Sequence, residues 1–120
     1  MKPKIDKTKF GSITIAGEEY EHDVIIRLNG KVEKRKKKLS KEIFGTSHII
    51  SLAEAEHVYE DGTRVIIIGT GQSGMVTLSD EAAQFLQQKG CQVTMLPTPK
   101  AIRCWNETED VEIGLFHVTC

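Results

Sequence analysis

An uninterrupted apolar run that ends in a glycine-rich turn constrains the fold of this chain more than any other feature. Val65 to Ile68 is wholly β-branched and apolar, and Gly69-Thr70-Gly71-Gln72-Ser73-Gly74 follows it directly. A strand of this kind is buried on both faces, which is typical of the parallel sheets of α/β proteins. The turn that follows such a strand is where these proteins commonly bind a ligand. The turn is therefore a candidate site.

The turn matches dinucleotide-binding proteins only in the spacing of its glycines. Those proteins also need a helix that opens at the third glycine and an acidic residue at the end of the next strand. Here Met75-Val76-Thr77-Leu78 follows the turn, and the strand at Val93 to Leu96 ends without an acid. No nicotinamide, flavin or other cofactor is therefore predicted. Two interpretations stay open, a small anionic ligand held by turn amides and a purely structural turn.

The last two thirds of the chain alternate between strand and helix patterns. Helices are predicted from three start signals, which are the capping box Ser51 to Glu54, the cap at Ser79-Asp80 and the proline of Thr98-Pro99. Strands are predicted at 64–68, 92–96 and 112–119. This alternation indicates an α/β fold.

The first third predicts an antiparallel β-meander instead. Alternation from Phe10 to Ile15 stops at Ala16-Gly17, and a second hairpin turns at Asn29-Gly30, the strongest two-residue turn signal. No linker rich in Pro, Gly or Ser separates the β-meander from the α/β part. We therefore expect one domain over 1–120, with the meander at about 8–38 and the α/β part at about 48–120, in three layers around a mixed sheet.

Composition narrows the class of protein. The chain has 120 residues and is 39% hydrophobic, enough for one core. It has no run of ~20 apolar residues, and the segment Met1 to Lys7 does not open a signal peptide, so we expect a cytoplasmic protein without membrane contact. Its three cysteines are widely spaced and form no CxxC pair, so no metal site is predicted.

Two further segments carry side chains that could bind a ligand or transfer a proton. Thr46 and Ser47 offer hydroxyls beside the imidazole of His48, which could move a proton near neutral pH. On the last strand, His117 and Thr119 share one face. The alternative for Thr46 and Ser47 is a structural role, in which their hydroxyls form hydrogen bonds with the backbone of their own loop. The candidate ligand site comprises Thr46, Ser47, His48, Gly69, Thr70, Gly71, Gly74, His117 and Thr119.

No complete catalytic constellation accompanies these residues, so no catalytic residue is assigned and enzymatic activity stays open.

A basic run makes the charge distribution uneven, and the rest of the chain is correspondingly acidic. From Lys31 to Lys41 there are seven basic residues and one acid, Glu33, while the formal net charge of the chain is -1. Such a run could grip phosphates. It has no interleaved aromatic residues for base stacking, and lysines often protect a strand edge from pairing. A solvated edge is therefore favoured over nucleic-acid binding.

Several short motifs together resemble one family. They are Phe10-Gly11-Ser12, Gly45-Thr46-Ser47-His48, Ile66-Ile67-Ile68-Gly69-Thr70-Gly71, Leu96-Pro97-Thr98 and His117-Val118-Thr119-Cys120. In order and spacing they resemble domain of unknown function 498, also called the MTH-938-like family, over nearly the whole chain. The family includes the adipogenesis-associated domain-containing protein.

The resemblance implies a three-layer α/β domain around a mixed sheet and no defined activity. A mitochondrial relative resembles this domain and serves in the assembly of respiratory complex I. The chain shows no mitochondrial presequence, so that role is not carried over.

The leading hypothesis is a non-enzymatic binding or assembly domain that contacts another protein or a second copy of itself. The alternative is a ligand-binding protein or enzyme whose pocket joins the glycine turn, the Thr46-Ser47-His48 loop, His117 and Thr119. Nucleic-acid binding through Lys31 to Lys41 is a weaker alternative.

Overall fold

The computed structural model describes residues 2–120, which form ten strands and four helices. The strands are β1 Ile5–Lys9, β2 Ser12–Ile15, β3 Glu18–Tyr20, β4 Val24–Ile26, β5 Val32–Lys34, β6 Ile49–Ile50, β7 Val65–Thr70, β8 Thr77–Leu78, β9 Gln92–Leu96 and β10 Glu112–His117. The helices are α1 Lys38–Phe44, α2 Leu52–Val58, α3 Asp80–Gln88 and α4 Thr98–Glu107. Within residues 2–120 no helix has the length and hydropathy needed to cross a bilayer.

A five-stranded mixed sheet forms the centre of the molecule. Its strand order is β5-β4-β10-β7-β9, so the last strand in sequence lies in the middle. Strand β10 runs parallel to β7, and β7 runs parallel to β9, whereas β4 lies antiparallel to both β10 and β5. The two edges of this sheet are therefore β5 and β9.

The five-stranded sheet is covered on both faces, which gives the three predicted layers. On one face Ile66, Ile68 and Leu115 pack against buried residues of α2 and α3. On the other face Ile67 and Phe116 pack against α4 and a small antiparallel sheet of order β1-β2-β3. The predicted α/β architecture with an antiparallel N-terminal part is confirmed.

Local signals in the sequence position several elements. Ser51 caps α2 by accepting from the Glu54 amide at 3.1 Å, and Ser79 caps α3 in the same way through the amide of Ala82. The predicted Asn29-Gly30 hairpin joins β4 and β5. These contacts lie within a few residues of one another, which is why short patterns suffice to predict them.

The N-terminal meander differs from the prediction in its division. Strands β1 to β3 form their own sheet, while β4 and β5 join the central sheet. All three residues of β4 are buried, with Ile25 in the core under α2 and α3 and Val24 and Ile26 in the core on the other face, and pairing with β10 places the strand between these two cores. The basic run also leads into helix α1, Lys38–Phe44, which the sequence analysis did not predict. Gly45, in the left-handed conformation, caps the C-terminal end of this helix.

Candidate functional site

The glycine turn binds the C-terminal segment of its own chain, and its first two residues, Gly69 and Thr70, are the last two of β7. Its amides donate to side-chain and main-chain oxygens of that segment and of the start of α4. The bonds are Gly71 N–H to Thr98 Oγ1 (2.9 Å), Gln72 N–H to the Thr119 carbonyl (2.7 Å), and Ser73 and Met75 N–H to the Cys120 carbonyl (3.3 and 3.1 Å). Since these four amides are engaged internally, they are not free to hold an anion.

Gly71 shows how closely the two segments approach. Its φ of +106° lies in the left-handed region, and a Cβ at this position would lie 2.2 Å from the carbonyl carbon of Cys120 and 2.9 Å from Cδ2 of His117. Only glycine fits such a gap. The glycine requirement therefore has a packing cause, which is the structural interpretation left open by the sequence. Gly69 is similarly tight, because a Cβ there would lie 2.9 Å from both Phe116 and the hydroxyl of Thr98, and Thr70 is buried.

The loop before β6 engages most of its own polar groups. The hydroxyl of Thr46 accepts from the amide of His48 at 3.1 Å, and the carbonyl of Ser47 accepts from Nη2 of Arg35 at 2.8 Å. The imidazole of His48 lies edge-on to that of His117, with ring centroids 5.5 Å apart. The loop and the last strand therefore meet at His117, and Gly71 of the glycine turn lies close to the same imidazole.

A buried ionic cluster, Asp23-Arg35-Glu54, lies beneath these segments. The guanidinium of Arg35 donates to both carboxylate oxygens of Glu54, at 2.6 and 3.0 Å, and to Oδ2 of Asp23 at 2.9 Å. All three side chains are at most 1% exposed. Ser40 also donates to Glu54, so the carboxylate is bound on two sides. The cluster thus joins the residue after β5, Arg35, and the residue before β4, Asp23, to α2.

Opposing effects set the pKa values within the cluster. Burial alone would raise the pKa of the Asp23 carboxyl, but the hydrogen bond with His117, the amide of Val118 and the charges of His117 and Lys37 outweigh it and lower the pKa to about 2. Burial would likewise lower the pKa of Arg35, but Glu54 and then Asp23 raise it above its usual value. Asp23 and Arg35 are therefore both ionised at neutral pH.

Asp23 also orients the imidazole of His117, which in turn contacts a hydroxyl. Nδ1 of His117 lies 2.6 Å from Oδ2 of Asp23, and Nε2 lies 3.1 Å from Oγ1 of Thr119. We call this chain of contacts the Asp23-His117-Thr119 relay. A carboxylate that fixes one ring nitrogen while the other faces a hydroxyl is the arrangement by which histidine activates a nucleophile.

The relay reaches the surface at an open, basic cleft. This cleft has a volume of about 580 Å³. Its lining residues are Gly11, Glu21, His22, Asp23, Lys34, Arg35, Lys36, Lys37, Lys38, Val118 and Thr119. Five of these carry a positive charge and two a carboxylate, so the cleft is positive although the whole chain has a formal net charge of -1. Nζ of Lys37 lies 3.6 Å from Oδ2 of Asp23, at the point where the relay meets the cleft.

Of the residues that the sequence analysis selected, the structure brings some to this cleft and leaves others apart. Thr119 lines it, and His117 lies directly behind Thr119. Thr46, Ser47 and His48 and the turn glycines do not line it.

Sequence reasoning missed Asp23, Arg35 and Glu54. One signal was present, because Arg35 is the only arginine in a run of lysines, and arginine is the cation best suited to bidentate burial.

Comparison with known proteins defines the family. Residues 5–112 match the family described as "Protein of unknown function (DUF498/DUF598)". The conserved hypothetical protein PH1505 from Pyrococcus horikoshii OT3 is 33% identical, with a TM-score of 0.91 over 98% of this chain and 99% of that one. The protein MT938 is 31% identical, with a TM-score of 0.83 over the same shares.

A more distant relative shares the fold alone. This protein of Bordetella pertussis, described as a Mth938-like domain, is 15% identical, with a TM-score of 0.66 over 97% of this chain and 85% of that one. The resemblance drawn from the short motifs is thereby confirmed. The chain belongs to the DUF498, or MTH938-like, family of proteins of unknown function.

Proposed function

We propose that this protein is a non-enzymatic binding protein that takes an acidic segment of another protein into the basic cleft. The observation that carries the proposal is the gathering of Lys34, Lys36, Lys37 and Lys38 around one concave surface of a chain whose formal net charge is -1. A local excess of one charge sign raises the local concentration of partners of the opposite sign. It also fixes their orientation on contact.

The buried ionic cluster supports this proposal because it fixes the backbone that carries the lysines. The amide of Arg35 donates to the carbonyl of Asp23 at 3.0 Å, and its side chain is held by Glu54 and Asp23. The segment from Lys34 to Lys38 is therefore anchored at Arg35, while the side chains of Lys34 and Lys36 on either side are exposed. A preorganised backbone lowers the ordering cost of binding.

The lining of the cleft favours an acidic peptide over nucleic acid. None of its lining residues is Phe, Tyr or Trp, so a base would find only the imidazole of His22 on which to stack. The positive charges are mainly lysines, which act as mobile point charges and do not form the planar fork that arginine offers to phosphate. The cleft is open, which suits an extended segment rather than an enclosed metabolite.

Charge reversal at Lys36 and Lys38 tests the proposal. Both side chains are exposed, and neither touches the buried cluster, so the double change Lys36→Glu with Lys38→Glu leaves the fold intact. We expect at least a tenfold loss of affinity for an oligo-glutamate peptide, about 1.4 kcal/mol, with a weaker salt dependence. Isothermal titration at two salt concentrations measures both.

The matched control reverses the exposed Lys7 and Lys9 of β1, which lie outside the cleft, and should bind as the wild type does. Equal losses in the two double variants would contradict a localised site. Tighter binding of a single-stranded oligonucleotide than of the peptide would favour nucleic acid as the partner instead.

The Asp23-His117-Thr119 relay supports a second candidate function, hydrolysis of an anionic ester. In this alternative His117 takes the proton from the hydroxyl of Thr119 as its oxygen attacks the ester carbonyl, and Asp23 stabilises the imidazolium that results. The imidazolium then gives the proton to the leaving alcohol, and water hydrolyses the acyl-enzyme. The lysines would hold the negative end of the substrate. The sequence analysis included an enzyme among its alternatives. Of the residues that it proposed for that site, only His117 and Thr119 take part here.

Two substitutions test this candidate on an activated ester that carries a negative charge, such as 3-nitro-4-acetoxybenzoate. If the relay is catalytic, Thr119→Ala and His117→Gln each reduce turnover by at least about 100-fold, because each removes a member of one unit. Thr77→Ala, at an exposed hydroxyl on β8, is the control and should retain full turnover. Wild-type turnover no faster than that of Thr119→Ala would eliminate the candidate without affecting the binding proposal.

A further inference from the structure

The two edges of the central sheet differ sharply in their protection. Strand β5 has only three residues, ends at Lys34, and carries Glu33 in an ion pair with Arg27 at 3.1 Å. Short edge strands with charged residues resist pairing with another chain. Strand β9 has five residues, Gln92–Leu96, with neither a charge nor a proline, and in the described part of the chain it pairs only with β7. The β9 edge thus lacks the usual protection.

The direction of the backbone groups along β9 follows from one bond. The amide of Gln92 donates to the carbonyl of Arg64, which precedes β7, at 2.9 Å. Because successive residues of a strand point their amides and carbonyls to opposite sides, Gln92, Thr94 and Leu96 bond towards β7. Val93 and Met95 therefore present their N–H and C=O groups away from the sheet.

This spacing is self-complementary. We propose that β9 is an interface at which two copies of this chain pair antiparallel about a two-fold axis at Thr94. Val93 of each copy then lies opposite Met95 of the other, and each such pair exchanges two hydrogen bonds. The four outward groups of each copy are satisfied together, and the two central sheets join into one of ten strands. An interface that meets its own copy in this way closes as a dimer.

The side chains around this edge suit the arrangement. Val93 and Met95 are only partly buried and lie on the face of the sheet that α3 covers. Pairing brings these apolar side chains together across the axis, which stabilises an antiparallel pair. A shallow groove of about 420 Å³ beside the edge, lined in part by Leu78, Ala83 and Gln87, is open to the second copy. The formal net charge of -1 adds little repulsion between copies.

Charge placed at the axis tests the geometry. Since Thr94 faces Thr94 of the second copy, Thr94→Lys sets two like charges opposite each other, and so does Thr94→Glu. We expect each variant to weaken the dimer about fivefold or more in sedimentation velocity over a range of concentrations. A mixture of the two variants should dimerise again, because lysine then faces glutamate.

A second variant removes hydrogen bonds without adding charge. Met95→Pro eliminates one outward N–H from each copy, a change that an edge strand tolerates when the amide does not bond within its own sheet. We expect this variant to be monomeric, with an unchanged circular dichroism spectrum. Gln84→Lys, at an exposed position of α3, is the control and should dimerise as the wild type does.

Two results would overturn the proposal. One is a wild-type protein that stays monomeric at its highest attainable concentration. The other is a wild-type dimer that is unchanged by all three substitutions in β9, which would place the interface elsewhere. Recovery of the dimer in the lysine and glutamate mixture is the result that a merely structural effect of substitution would not give.

Discussion

Replacing Arg35 with methionine is expected to lower the free energy of unfolding by about 3–5 kcal/mol. The change leaves the carboxylate of Glu54 buried without its guanidinium partner and removes one of the cations at Asp23, and both carboxylates are at most 1% exposed. Buried charges without a partner are among the most destabilising features of a folded protein. Urea unfolding at pH 7 measures the loss. Lys34→Met, at the exposed neighbouring position, is the control and should change stability by less than about 0.5 kcal/mol.

A further variant separates the charge effect from general damage to the core. Arg35→Met combined with Glu54→Gln and Asp23→Asn removes the buried charges together. We expect this triple variant to recover part of the stability, because no carboxylate is left unpaired. A triple variant less stable than Arg35→Met alone would show that packing, and not charge, dominates the cost.

The stability of the wild type is expected to fall by about 2 kcal/mol as the pH is lowered from about 4 to 2, through protonation of Asp23. The pKa of this carboxyl is about 2 in the folded protein against a reference value of 3.8. A lowered folded pKa means that the contribution is complete above the unfolded value and is lost as the pH falls through the folded one. Asp23→Asn should remove this part of the acid dependence and cost about 2–3 kcal/mol at pH 7.

The measurement is urea unfolding of the wild type and of Asp23→Asn at several pH values from 7 to 2. Asp61→Asn, at an exposed aspartate, is the control and should keep the acid dependence of the wild type. Parallel stability curves for the wild type and for Asp23→Asn would mean that another group causes the acid sensitivity.

Much of the fold could be predicted from the sequence because short segments determine it. The buried run before Gly69 had to be an interior strand, Asn29-Gly30 had to turn a hairpin, and Ser51 and Ser79 had to cap helices. In each case the deciding contact spans only a few residues, as with the bond from Ser51 to the amide of Glu54. The alternation of faces on the last strand was also readable, since Leu115 and Phe116 enter opposite cores.

The cleft could not be predicted in the same way because its contacts join distant parts of the chain. Arg35 meets Glu54 across 19 positions, and Asp23 meets His117 across 94. Glu54 shows the limit of a local pattern. In the capping box its carboxylate was expected to reach back to the start of its own helix, but a buried guanidinium competes for it and binds it instead. Tertiary electrostatics here overrides a local preference.

The glycine turn shows the opposite kind of limit. The pattern located a special backbone position correctly but could not say what approaches it, because both a bound anion and another chain segment require the absence of a Cβ. At Gly71 the structure has the main chain of Cys120 in that space.

The place of β10 in the middle of the central sheet has a consequence for how the protein is made. A chain leaves the ribosome from its amino end, so the β4–β5 hairpin and the β7–β9 pair are synthesised before the strand that joins them. Until Glu112–His117 emerges, the backbone N–H and C=O groups of β4 and β7 that pair with β10 have no partner strand. Completion of the sheet must therefore await the end of translation of that strand, and during this interval nascent chains need protection from one another.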